Sequence, residues 1–155
     1  MRFILALSAL AFAFSPSLAH AQKKATLDAV SVHVFLEKSG VFSNDIMAGN
    51  FAAWNFAIQA DGIDANEHYR AMLIKVRITA PGEHFENGKV ADVTLTNRRT
   101  KKVVKRESIA GVYIGAEGAV FYPVYVPDAV CGPFELVVTG GRKRIAKSIE
   151  AACGE

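Results

Sequence analysis

The chain has no run of the roughly 20 apolar residues that a membrane-spanning helix needs. It also lacks any Cys-x-x-Cys, any His-x-His or His-x-x-x-His pair, any repeat and any low-complexity tract. These absences remove an integral helical membrane protein, a dithiol redox site and a simple zinc site. Gly-x-Ser-x-Gly, P-loop, Gly-x-Gly-x-x-Gly and His-Glu-x-x-His motifs are missing too, and the stretch 111–118 has no Lys-Ser/Thr to complete a phosphate loop. A Ser-His-Asp triad assembled in space from Ser39 or Ser43 is left open. Such residues occur in nearly every protein, so they discriminate nothing, and the reading is non-enzymatic.

What is present begins with a leader. Arg2 supplies a positive n-region, residues 3–14 a short apolar h-region, and Ser15-Pro16-Ser17-Leu18-Ala19-His20-Ala21 a breaker followed by small residues. The apolar run is about a dozen residues, too short to span a bilayer and right for a cleavable signal. Residues 1–21 therefore read as a signal peptide and 22–155 as a single mature domain starting at Gln22, periplasmic or secreted. Removing the leader takes one charge, Arg2, from a formal +3. The balance left is mild, so attraction to an anionic partner must come from local clusters.

Two cysteines agree with export. In an oxidising compartment Cys131 and Cys153 read as one disulfide closing a loop of about 20 residues, worth roughly 3 kcal/mol in the chain-entropy model. The bond would pin the last strand.

Short β-branched and aromatic runs recur between Gly, Pro, Asn and Asp, which is the all-β pattern. The runs predict strands at 29–37, 71–79, 90–96, 103–109, 119–126, 134–139 and 145–151. Val30, Val32, Val34 and Leu36 alternate with Ser31, His33 and Phe35, so one face is buried and the other wet. Pro81-Gly82 and Asn87-Gly88 bracket an expected loop, Gly115 and Gly118 bound another, and Gly140-Gly141 supply the positive φ of a tight hairpin. Residues 50–59 fit both a helical and a strand face, and strand is preferred. Trp54, between Phe51 and Phe56, reads as a core residue. Seven or eight short strands in one domain predict an immunoglobulin-like antiparallel β-sandwich in preference to a barrel.

Gly49-Asn50-Phe51-Ala52-Ala53-Trp54-Asn55, the acidic Gly-containing loop after it, Cys131-Gly132 and the terminal Cys153-Gly154-Glu155 resemble a group of small exported bacterial β-sandwich proteins without an assigned function. The resemblance spans most of the mature chain. It implies the fold and export and carries over no catalytic or binding residue.

Three clusters hold candidate chemistry. Arg98, Arg99, Lys101, Lys102, Lys105 and Arg106 crowd one hairpin tip, and Arg142, Lys143 and Arg144 crowd another. If both tips share one end of the sandwich, they form a positive patch for phosphate or carboxylate groups on lipids, glycans or an acidic protein. Neither cluster interleaves the aromatics that stack on bases, so nucleic acid is not the expected partner. Asp61, Asp64, Asn66 and Glu67 gather oxygen ligands of the kind calcium takes, though not at EF-hand spacing, and read first as a solvated acidic loop with no metal or other cofactor. His33, His68 and His84 are scattered. Cleavage after Ala19 would expose His20 as the N-terminus, which with a second His could clasp copper. An adhesin or fimbrial-type subunit, completed at an open sheet edge by another chain, is the remaining alternative.

Intact mass of the unreduced exported protein is expected to match a chain starting at Gln22 with Cys131 and Cys153 oxidised. A chain starting at His20 would favour the copper reading, and two alkylatable thiols would remove the disulfide.

Overall fold

A computed structural model describes residues 24–49, 51–54, 57–60, 63–64, 66–128 and 132–152. The leader, His20, Asp61, Cys131 and Cys153 lie outside the described residues, as does the side chain of Trp54. The strands are β1 (Thr26–Leu36), β2 (Phe51–Trp54), β3 (Ala57–Ala60), β4 (Tyr69–Thr79), β5 (His84–Asn97), β6 (Val103–Ile114), β7 (Ala119–Val126), β8 (Gly132–Gly140) and β9 (Lys143–Ala152). They make a three-stranded sheet, β1-β4-β7, and a six-stranded sheet, β3-β2-β9-β8-β5-β6. The fold is an all-β sandwich. Its pairings are antiparallel except β2 with β9, which run parallel.

Alternation in the sequence sets the core. Val32 and Val34 of β1, Met72, Ile74, Val76 and Ile78 of β4, Val93 and Leu95 of β5, Ile109 and Ile114 of β6, and Leu136 and Val138 of β8 are all fully or almost fully buried. Successive strand residues point to opposite faces, so a period of two delivers each set to the space between the sheets. Burying one such side chain stabilises by roughly 1.5–3 kcal/mol relative to leaving it in water.

Several local expectations change. Within the stretch expected as one strand, Phe51–Trp54 and Ala57–Ala60 are two short strands, β2 and β3, paired antiparallel. The loop expected before Val90 is already strand: the ladder passes from Glu86↔Val112 to Lys89↔Ala110, so Asn87-Gly88 sit in a bulge, with Gly111 at φ +64° on the partner strand. A bulge needs the same permissive residues as a turn. At the β8–β9 hairpin only Gly141 takes a positive φ, +56°. Gly140 serves close approach instead, since a Cβ there would lie 2.6 Å from the Val90 carbonyl oxygen and 2.8 Å from Leu27 Cβ.

Among the described residues each sheet edge is blunted in a different way. Along β1, residues 41–46 add irregular pairing: Leu36 N–H donates to Val41 O (2.8 Å), Ser43 N–H to Val34 O (2.9 Å) and Ile46 N–H to Val32 O (2.8 Å). Side chains accept where backbone does not, Asp45 Oδ1 from Val32 N–H (2.9 Å) and Ser43 Oγ from Val34 N–H (3.0 Å). Edge strand β7 carries Pro123, which has no N–H to offer a further strand. β3 is only four residues long. On β6, Lys105 and Glu107 share the face of buried Ile109 and pair at 2.8 Å, placing inward-pointing charge on the edge.

Tyr69 is 1% exposed, and burial pushes its phenol up to about 12 from 10.0. The unfolded chain ionises this group first, so its stabilising contribution is complete below pH 10 and disappears as pH rises toward about 12. The urea midpoint is expected to fall across that interval, and Tyr69→Phe to fall less. Gly140→Ala should destabilise by about 1–3 kcal/mol through overpacking. Gly141→Ala should cost about 1 kcal/mol for the left-handed backbone, with Gly141→Asn recovering most of it. Urea unfolding of the three variants checks both roles.

Candidate functional site

The β5–β6 tip is a turn built around Asn97. Its N–H donates to Lys102 O (2.9 Å), and its Oδ1 accepts from the N–H groups of Arg99 and Thr100, both at 3.0 Å. Lys101 adopts φ +59° to close the turn. Two accepted amides and one strained residue fix where the neighbouring side chains emerge.

Only part of the six-cation cluster is available there. Arg98 lies back over the sheet, its N–H donating to Pro133 O (2.7 Å) and its guanidinium paired with Glu150 of β9. Lys105 is paired with Glu107. Arg99, Lys101 and Lys102 are exposed and have no carboxylate within ion-pair distance among the described residues. Beside them Val103 and Val104 are each 41% exposed.

The second tip does not join the first. β5 and β8 are antiparallel, with Asn97 opposite Phe134 and Asp92 opposite Thr139, so the β5–β6 turn lies at the start of β8 and the β8–β9 turn at its end. Arg144 pairs in register with Thr139, while Glu150, which holds Arg98, pairs with Pro133. That is about 20 Å of strand. The single patch expected from the sequence is therefore two separate tips at opposite ends of the large sheet. At the second, Lys143 is drawn to Asp28, contacting its carbonyl and lying 3.8 Å from Oδ1. Arg142 and Arg144 stay exposed. A recess of about 200 Å³ at its base is lined by Lys89, Val90, Asp92, Thr139, Gly140 and Gly141. The Lys89 ammonium donates to Asp92 (2.8 Å) and holds that carboxyl below its ordinary range.

The acidic loop is occupied with its own turn. Asp64 accepts from Asn66 N–H (2.8 Å) and Nδ2 (3.0 Å) and lies 3.6 Å from Lys38 Nζ. The Asn66 amide, and after it Lys38, hold the Asp64 carboxyl low. Glu67 is buried and accepts from Lys38 N–H (3.1 Å). Among the described residues these carboxylates close backbone turns.

The histidines lie apart. His33, expected on a wet strand face, is only 8% exposed because residues 41–46 bring the Ser43 carbonyl over it. Nδ1 donates to that carbonyl (2.7 Å), which fixes the tautomer and leaves Nε2 to accept from the Ser31 hydroxyl (3.0 Å). Ser43 is committed through Oγ to Val34 N–H and Asn44 O (2.7 Å), so it is no free nucleophile. His84 lies 3.4 Å from Glu86, and His68 is exposed.

Sequence reasoning passed over the exposed apolar residues. Phe121 and Tyr125 of β7 are 57% and 50% exposed, although the run 119–126 reads as continuously apolar. Pro123 inside the run was the available signal, since proline confines a strand to an edge and an edge strand leaves one side bare. Among the described residues no helix is long and apolar enough to cross a membrane. No family model and no curated protein matches this chain.

Proposed function

We propose that this is an exported, non-enzymatic binding protein of the bacterial envelope, in which an immunoglobulin-like sandwich presents the β5–β6 tip to an anionic membrane surface. Export is supported by the three-part leader and the two cysteines. The scaffold reading is supported by strand order: β1-β4-β7 faces β9-β8-β5-β6, and successive strands alternate repeatedly between the sheets, with the β2–β3 pair added beside β9.

One observation carries the binding reading. Arg99, Lys101 and Lys102 project from a turn fixed by Asn97, have no carboxylate within ion-pair distance among the described residues, and adjoin exposed Val103 and Val104. Cations close to an anionic leaflet gain about 1 kcal/mol each, so three give roughly 3 kcal/mol, a weak and reversible attachment that salt screens. The valines add apolar area at the headgroup boundary.

The exported protein is expected to cosediment with phosphatidylglycerol vesicles at low salt and to release at high salt. The combined Arg99→Glu, Lys101→Glu and Lys102→Glu variant should bind at least 100-fold more weakly, in keeping with roughly 3 kcal/mol. Arg142→Glu with Arg144→Glu, at the opposite end, should bind as wild type. Unchanged cosedimentation of the triple variant would falsify the assignment to this tip.

A further inference from the structure

The outward side of the three-stranded sheet has a composition unlike an ordinary solvated face. On β7, Phe121, Pro123 and Tyr125 alternate with the core-facing side chains of Tyr122, Val124 and Val126, so they stand in one line on the solvent side. Register sets Arg77 beside Phe121, Lys75 beside Pro123 and Leu73 beside Tyr125. Ala29, Ser31 and His33 complete the same rows on β1. The Lys75 ammonium lies 5.9 Å from the centre of the Phe121 ring. Among the described residues it has no carboxylate within ion-pair distance, whereas Arg77 is matched by Asp28 at 2.9 Å.

Single exposed apolar residues are ordinary, but two half-bare rings and a proline in line beside an unmatched cation mark a recognition surface. Charge complementarity asks for an anionic partner. Shape narrows the class. A small ligand is held in a concave cleft of roughly 300–1,000 Å³, and this side of the sheet is a strand face. A protein partner would place Lys75 in the interior of the contact, where lysine is depleted. A sugar ring offers what is wanted: an apolar C–H face for the negative face of an aromatic ring, and hydroxyls for Lys75 and Ser31. Phe121 and Tyr125 stand four residues apart, about 13 Å along the strand, which suits a chain of sugars lying across them rather than one.

We propose that this face binds an acidic polysaccharide, with sugar rings stacked on Phe121 and Tyr125 and a carboxylate group met by Lys75. The site belongs to the other sheet from the β5–β6 tip and does not depend on it.

Affinity electrophoresis of the exported protein through gels containing polygalacturonate tests the assignment, with neutral dextran as comparison. Wild type should be retarded by polygalacturonate and hardly at all by dextran. Phe121→Ala with Tyr125→Ala should weaken retardation at least tenfold, Lys75→Gln several-fold, and Phe121→Trp should retain it. All three positions are outside the core, and an unchanged thermal midpoint shows that the fold is intact in each variant. The proposal is overturned by unretarded wild type. It is overturned equally if the aromatic double variant runs as wild type, or if the Arg99, Lys101 and Lys102 reversal abolishes retardation, which would assign binding to tip charge. Equal retardation by polyglutamate that survives loss of both rings would assign it to charge alone and reject stacking.

Discussion

β4 lies between β1 and β7 and sends Met72, Ile74, Val76 and Ile78, all without solvent exposure, into the gap between the sheets. The rest of the molecule is arranged around that burial, and the arrangement is lopsided. Three strands at about 4.8 Å spacing cover roughly 14 Å, whereas six span roughly twice that. The small sheet cannot roof the large one. β6 shows the consequence: its Ile109, Val112 and Ile114 are buried, but two positions further along the same face the side chains are Lys105 and Glu107, paired with each other. A charge pair is tolerable there because water still reaches it, and it discourages another strand from docking.

The same mismatch explains where recognition chemistry can reside. The core is filled by aliphatic side chains with Tyr69 and Phe134, and in the recess of about 200 Å³ at the β8–β9 tip Lys89 and Asp92 pair with each other. Among the described residues, the surfaces open to a partner include the outside: hairpin tips projecting past the sheet ends and the flat outer faces. Edges are poor candidates, since residues 41–46, Pro123, the brevity of β3 and the Lys105–Glu107 pair each obstruct strand addition. The longest of these edges, the twelve-residue β6, carries the Lys105–Glu107 pair, which strand completion by another chain would have to accommodate.

Much of the fold was legible because period-two alternation is local. Val30 through Leu36 and Ile74 through Ile78 announce their buried face without reference to any other strand. The failures came where local chemistry has two uses. Asn87-Gly88 suits a turn or a bulge, and only pairing with Val112 and Ala110 decides for the bulge. His33 alternates outward as expected, yet it is buried because residues 41–46 fold back along the β1 edge, a contact that its own strand does not encode. The count of cations in 98–106 was legible, but not which were already engaged. Glu150 is distant in sequence from Arg98, and its claim on that guanidinium follows from β9 lying beside β8.

Strand order therefore matters more than cluster size for reading charge in this protein. Two basic runs at hairpin turns look equivalent in sequence, and an antiparallel β5–β8 pair sends them to opposite ends. Of nine cations in the two runs, Arg98, Lys105 and Lys143 are drawn toward Glu150, Glu107 and Asp28. Lys75, which belongs to no basic run, is left beside an aromatic ring with no carboxylate partner among the described residues. An unpaired cation meets a partner without first giving up a carboxylate, whereas an exposed paired one loses an interaction of about 0–1 kcal/mol. By that criterion the Asn97-fixed tip, with Val103 and Val104 exposed beside it, and the Lys75 face, with Phe121 and Tyr125, each join unmatched positive charge to bare apolar side chains. Among the described residues Arg142 and Arg144 are unmatched without such neighbours in register.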